Sequence, residues 1–297
     1  MRGDIAVVAD IAWTRENIAS TARMRLNGVS LSTATIPEVK GARGEIFFDN
    51  LFEMTTPPGQ QISIEELDPG IAVTNGRVVF QLLPEERVSI ESAEFDFALG
   101  TLAMAPATIS LGADATRFEV RLQDIDAANL IQTLKIPDLS VTGRIEGTFP
   151  LLLTRRSAFV EHGVLRTREG GGVISYTGNA GANATGVSRI AFDALREFHY
   201  DTLQLTLNGD LNGDVVSSIE FRGRNGGEPI DLTPIVSVPG IGGVTVRGVP
   251  FDFNVRVTAP FRRLAETAAT IVDPGSLIDR SERDAEEPVD PDTPPPR

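Results

Sequence analysis

The chain has no cysteine, one tryptophan, two tyrosines and two histidines in 297 residues. The lack of cysteine excludes disulfides, thiol nucleophiles, thiolate metal sites and iron–sulfur clusters. His162 and His199 stand far apart in sequence and in no known motif. Each reads as a packed or exposed strand residue rather than a general base. No Gly-x-Ser-x-Gly elbow occurs, and no glycine run leads into Lys-Ser or Lys-Thr, so neither a hydrolase nucleophile nor a phosphate loop is written here. Asp210 and Asp214 flank a turn but lack the further oxygen ligands of a calcium loop. Glu65-Glu66 and Glu85-Glu86 read as exposed charge. No catalytic residue, metal ligand or cofactor site is expected, and hence no enzyme.

Positive charge is also scarce. Lys and Arg number 27 against 41 Asp and Glu, giving a net charge of -14. That balance excludes the basic footprint of a nucleic-acid binder and charge-driven adsorption to an anionic bilayer. The stretch Asp279 to Arg297 holds seven of the acids and three of the bases, so it supplies -4 of the total. No apolar run approaches the roughly 20 residues that span a bilayer. No opening combines a basic head, an apolar middle and a small-residue cleavage site. Met1-Arg2-Gly3-Asp4 passes directly into Ile5-Ala-Val-Val-Ala, the reading of a strand entered midway. The chain is therefore expected to be a portion of something longer.

What the sequence has in abundance is alternation. Arg77-Val-Val-Phe-Gln-Leu-Leu, Arg87-Val-Ser-Ile-Glu-Ser, Glu94-Phe-Asp-Phe-Ala-Leu, Leu203-Gln-Leu-Thr-Leu, Ile219-Glu-Phe-Arg and Phe251-Asp-Phe-Asn-Val-Arg-Val step between apolar and polar with period two. That period builds strands with one apolar and one wet face. Phenylalanine supplies 15 of the aromatics. It has no polar handle, so it suits a dry core or an acyl-chain lining equally.

The spacing predicts one all-β domain over 1–272 and a disordered, acidic, proline-rich tail over 273–297. Strands are predicted at Ile5–Ile11, Ala22–Leu26, Val29–Ser32, Gly44–Asp49, Arg117–Leu122, Thr202–Leu207 and Val249–Val257, among others. Asn75-Gly76, Pro84-Glu85, Asn208-Gly209 and Asn212-Gly213 are predicted turns, the first a two-residue hairpin. Short helices are expected near 124–134, capped by Asp124 or Asp126, and near 261–272. Asp193-Ala-Leu-Arg-Glu-Phe reads as a helical turn, and Gly178 to Gly186 as a mobile loop.

Thr142-Gly-Arg-Ile-Glu-Gly-Thr-Phe-Pro-Leu, His162-Gly-Val-Leu, Gly171-Gly-Val-Ile-Ser-Tyr, Ala194-Leu-Arg-Glu-Phe-His-Tyr-Asp-Thr-Leu-Gln-Leu-Thr-Leu and Phe221-Arg-Gly-Arg-Asn occur in that order. Upstream lie Gly41-Ala-Arg-Gly-Glu-Ile-Phe-Phe and Thr56-Pro-Pro-Gly-Gln. Over about residues 40–260 these resemble the C-terminal region of the YdbH family, which carries a "dicarboxylate transport" domain label and is related to the AsmA-like and TamB envelope proteins. The resemblance implies a long curled, taco-like β-sheet in the periplasm of a Gram-negative bacterium, with a hydrophobic groove that conducts phospholipid between membranes. It also implies a small outer-membrane lipoprotein as partner, by strand addition, and an inner-membrane anchor that this chain lacks.

The residues agree with that picture. Some fifteen strands about 4.8 Å apart give a surface on the order of 70 Å long. The candidate lipid-binding positions are Phe95, Phe97, Leu203, Leu205, Leu207, Ile219, Phe221, Phe251, Phe253 and Val255. Each reads equally as an ordinary core residue. The alternative function is a structural or adhesive β-solenoid with a sealed core and no lipid cargo. A sugar-processing solenoid is disfavoured by the missing coil period and the missing Tyr and Trp platforms.

Overall fold

The computed structural model describes residues 2–13, 18–32, 38–68, 71–110, 113–154, 157–179, 184–233 and 244–260. The helix expected near 261–272 and the tail lie outside them, as does the middle of the Gly178–Gly186 loop.

A meander opens the chain: β1 (Arg2–Trp13), β2 (Ile18–Leu31), β3 (Glu38–Phe48), β4 (Gln60–Asp68), β5 (Val73–Leu83) and β6 (Arg87–Phe97). Then come β7 (Gly100–Met104), β8 (Ala107–Ser110) and β9 (Ala115–Asp126), followed by helix α1 (Ala127–Thr133). β10 (Leu139–Val141), β11 (Arg144–Thr154), β12 (Ala158–Thr167) and β13 (Gly172–Tyr176) precede helix α2 (Gly186–Leu195). β14 (Phe198–Asp210), β15 (Asp214–Asn225), the short pair β16 (Ile230–Asp231) and β17 (Thr245–Val246), and β18 (Pro250–Pro260) complete the described chain.

Sixteen strands form one antiparallel sheet that does not close into a barrel. Its main path runs β1-β2-β3-β4-β5-β6-β7-β9-β11-β12-β14, and continues through β15 to β18. β14 forks. Its first residues pair with β13, which carries β10, and the rest pair with β12. The sheet is curled with its apolar face inward. A flat single layer would leave that face wet, yet Ile125, Phe198 and Val215 are wholly buried with, among the described residues, two short helices to cover them.

The opposite face is charged, and opposite charges sit directly across strands. Arg25 pairs with Glu45 at 3.3 Å, Arg166 with Glu146 at 3.2 Å and Arg222 with Asp252 at 2.7 Å. Such exposed pairs specify register more than they stabilise.

Glycine and asparagine signals divide into turns and bulges. Pro84-Glu85 is a turn, with Glu85 and Glu86 at φ 62° and 54°, and Asn212-Gly213 joins β14 to β15. Asn75-Gly76 is not a hairpin. It lies inside β5, where the register against β6 shifts between Thr74 and Arg77, and Asn75 takes φ 52°. Asn208-Gly209 likewise lies inside β14. Ala22–Leu26 and Val29–Ser32 are parts of one strand, β2, with a register shift at Gly28 (φ 65°). At Asn75 and Gly28 the left-handed residue absorbs an extra position in a continuing strand, whereas opposite Asn208-Gly209 the extra position falls on β12, at His162 (φ 57°).

Helix α1 begins where the 124–134 spacing places it. Asp126 caps it, its carboxylate accepting from the Asn129 N–H at 2.9 Å. Asp124 instead lies within β9, near its end, at φ 53°. Helix α2 is longer than the helical turn expected at Asp193 and starts earlier, at Gly186.

Candidate functional site: an apolar face carried in register across the sheet

The strand registers put the apolar side chains into rows. One row of direct cross-strand partners runs Ile5, Leu26, Gly44, Ile62, Val78, Ala93, Met104, Val120, Phe149. It crosses nine strands without a polar side chain. A second runs Phe95, Leu102, Leu122, Gly147, Leu165, Leu205, Ile219, Val255 over eight strands. A third joins Leu203, Phe221 and Phe253. The two long rows overlap on β6, β7, β9 and β11 at positions two apart, so they share one face. Together they span the whole path from β1 to β18.

Glycines on this face make room for rings. A methyl on Gly76 would stand 2.2 Å from Phe95, and one on Gly163 would stand 2.4 Å from Phe149. Gly163 pairs with Leu207, which carries the first row on into β14.

All ten sequence-predicted positions lie on this face, but in different surroundings. Phe95, Phe97 and Leu205 belong to a central cluster with Ile64, Val73, Ile125, Ile145 and Leu165. Leu207 packs with Val160 and Val215. Leu203, Ile219, Phe221, Phe251 and Phe253 gather around the buried ring of Phe198. There Phe221 and Phe253 stack at 4.7 Å, while Phe198 meets both edge-on at 5.4 and 5.3 Å. Val255 is half-buried between Ile219 and the sheet edge.

The Phe198 cluster is roofed. Phe192 and Leu195 of α2 pack into it, and Ile190, Ala194 and Ile230 of β16 form a cluster against Phe251 and Phe253. Sequence reasoning missed this roof. Its signal was the run Ile190, Phe192, Ala194, Leu195, which is apolar but too short to announce a helix.

At the other end the face is bare. Ile5, Val7, Ile11 and Trp13 of β1 lie on the same side as Leu26 and Met24, and Trp13 is 78% exposed.

Titratable groups do not converge. Among the described residues no three His, Asp or Glu side chains could hold a metal ion together. His162 sits in a bulge at φ 57°, its N–H donating to Asn208 Oδ1 at 3.1 Å, and His199 Nε2 lies 3.2 Å from Glu197 Oε1. Tyr200 is held above its ordinary pKa by burial, and its hydroxyl donates to the Thr142 carbonyl. No described helix is long and apolar enough to cross a membrane.

An open sheet with one unbroken apolar face and no convergent reactive groups defines a protein that presents dry surface along its length. The chain belongs to the YdbH-like family, described as intermembrane phospholipid transport protein YdbH, whose model matches residues 1–282. The match reaches beyond the 40–260 stretch that carries the resemblance, and takes in β1 and β2. No curated protein and no solved structure matches the chain. The family is one of envelope phospholipid transport and not a class of enzyme.

Proposed function

We propose that this chain is a periplasmic segment of a phospholipid bridge between membranes. Acyl chains lie along the inward apolar face, at Phe95, Phe97, Leu203, Leu205, Leu207, Ile219, Phe221, Phe251, Phe253 and Val255, while head groups stay in water. The observation that carries this reading is the register itself. Rows of apolar partners follow one another from β1 to β18, over thirteen strands and on the order of 60 Å. Moving a lipid along such a face exchanges one apolar contact for the next and needs no catalysis. The path ends at β18, which pairs only with β15 among the described strands. Its free N–H and C=O groups suit an outer-membrane partner that adds a strand.

The test is mass spectrometry of lipid retained by the purified chain and by Leu205→Asp. Leu205 is half-buried between Leu165 and Ile219 at the middle of the second row. Several phospholipids per wild-type chain, lost in a variant of unchanged strand content, are expected. A well-folded wild-type chain without lipid would sink the proposal.

The second reading is a sealed core. It is favoured locally by the α2 roof over Phe221, Phe251 and Phe253. On that reading Leu205→Asp unfolds the sheet instead.

A further inference from the structure

We propose that the sheet has a port through its wall between β8 and β9, and that this port seats the head group of a zwitterionic phospholipid whose chains lie on the apolar face. The inference rests on the conduit reading above.

β7 and β8 hold a single register on β6, through Ala93 with Met104 and Ile90 with Ala107. They are two halves of one strand, interrupted at Ala105-Pro106. β9 follows only the first half. The last bond between them runs from the Ala105 N–H to the Glu119 carbonyl at 2.9 Å. Beyond it β8 stays on β6, while β9 continues to Ala115 with β11 as its one partner among the described strands. The wall therefore parts over the length of β8.

An open hollow of about 420 Å³ lies at the gap. Consecutive residues line it: Ala105 through Thr108 on one side, and Arg117, Phe118 and Glu119 on the other. In an intact strand, consecutive side chains point to opposite faces. A hollow bordered by all three of the latter takes its lining from both faces of the sheet. Phe118 pairs with Leu151, two positions along from Val120 and Phe149, so both belong to the apolar face. Arg117 and Glu119 belong to the charged face. Pro150 stands directly opposite Glu119, so two prolines flank β9 at this level.

The chemistry of the passage is amphipathic. Its throat is Pro106, Ala107, Phe118, Pro150 and Leu151. Its outer collar carries both signs. Arg117 donates twice to Glu161, at 3.1 and 3.3 Å, and Arg121 stands 2.7 Å from Glu119. A phosphate can take the guanidinium of Arg117 while an ammonium takes the carboxylate of Glu161, so each half of a zwitterionic head group replaces one half of an existing ion pair. An anionic head group leaves Glu161 without a partner. A diacylglycerol leaves the collar unused.

The test loads the full chain from vesicles of equal phosphatidylethanolamine and phosphatidylglycerol, then measures uptake rate and the lipid ratio retained. Ala107→Trp fills the throat and is expected to slow uptake about tenfold at unchanged strand content, roughly what 1.4 kcal/mol buys in a rate or equilibrium. The double variant Arg117→Gln, Glu161→Gln keeps the size of both side chains, and is expected to abolish a wild-type preference for phosphatidylethanolamine. It decides the matter should Ala107→Trp not fold. Wild-type rate and ratio in both variants would overturn the port and leave the conduit standing. A wild-type chain that takes up no lipid would overturn both.

Discussion

The ring of Phe95 lies across Gly76, with Cε1 at 2.2 Å from where a methyl on that glycine would stand. The contact joins the β5 bulge to the second apolar row. Gly76→Ala is therefore expected to displace the ring and to cost about 1–3 kcal/mol by overpacking. Urea unfolding followed by circular dichroism measures it. An unchanged midpoint would show that the ring is free to move.

Phe198 is fully buried and touches three other phenylalanine rings. Phe198→Ala is expected to cost about 3–5 kcal/mol and to loosen α2, whose apolar side packs on the same cluster. Limited proteolysis within Gly186–Leu195 reports the loosening. Resistance equal to wild type would mean that α2 is held by other contacts.

The Asp126 carboxyl lies below its usual pKa, first because the Asn129 side chain donates to it and then because the Asn129 backbone N–H does. A lowered folded pKa contributes stability that is present above the unfolded value, near 3.9. That contribution is lost as pH falls through the lower folded value. Asp126→Ala should cost about 1 kcal/mol at neutral pH. Asp126→Asn should keep most of the cap and flatten the acid limb of the stability profile below about pH 4. A wild-type acid limb in Asp126→Asn would assign it to other carboxyls.

Tyr200 moves the other way. Burial holds its phenol neutral, so its contribution is present below the unfolded value near 10 and is lost as pH rises through the higher folded one. Ultraviolet titration should show a late tyrosinate component that disappears in Tyr200→Phe. A late component that survives that substitution would overturn the assignment to Tyr200.

The apolar face was legible because the pleat ties it to period two. Phe95 with Phe97, Leu203 with Leu205 and Leu207, and Phe251 with Phe253 each fall on one side whatever the rest of the chain does. The bulges were not legible as bulges. Asn75-Gly76 and Asn208-Gly209 signal a left-handed residue, and that residue serves a reversal and a bulge alike. Only long-range partners decide: Asp96 and Glu94 make the first a bulge, while Ser217, Val216 and Val215 hold Asn208-Gly209 in an unbroken ladder. The same limit hides the gap at β8. Pro106 and Pro150 are far apart in sequence, and that they border one hollow on either side of β9 becomes visible only with the register.

Each strand on the path touches chiefly the strand before it and the strand after it. The sheet is thus held together like a zip rather than like a ball. Its stability accumulates from strand to strand, folding can start at several places and spread, and local damage need not travel to the ends. Continuity obeys a harsher rule. A lipid path laid along such a structure is as good as its weakest link, so one disordered strand in the middle would leave two well-folded halves and no through traffic.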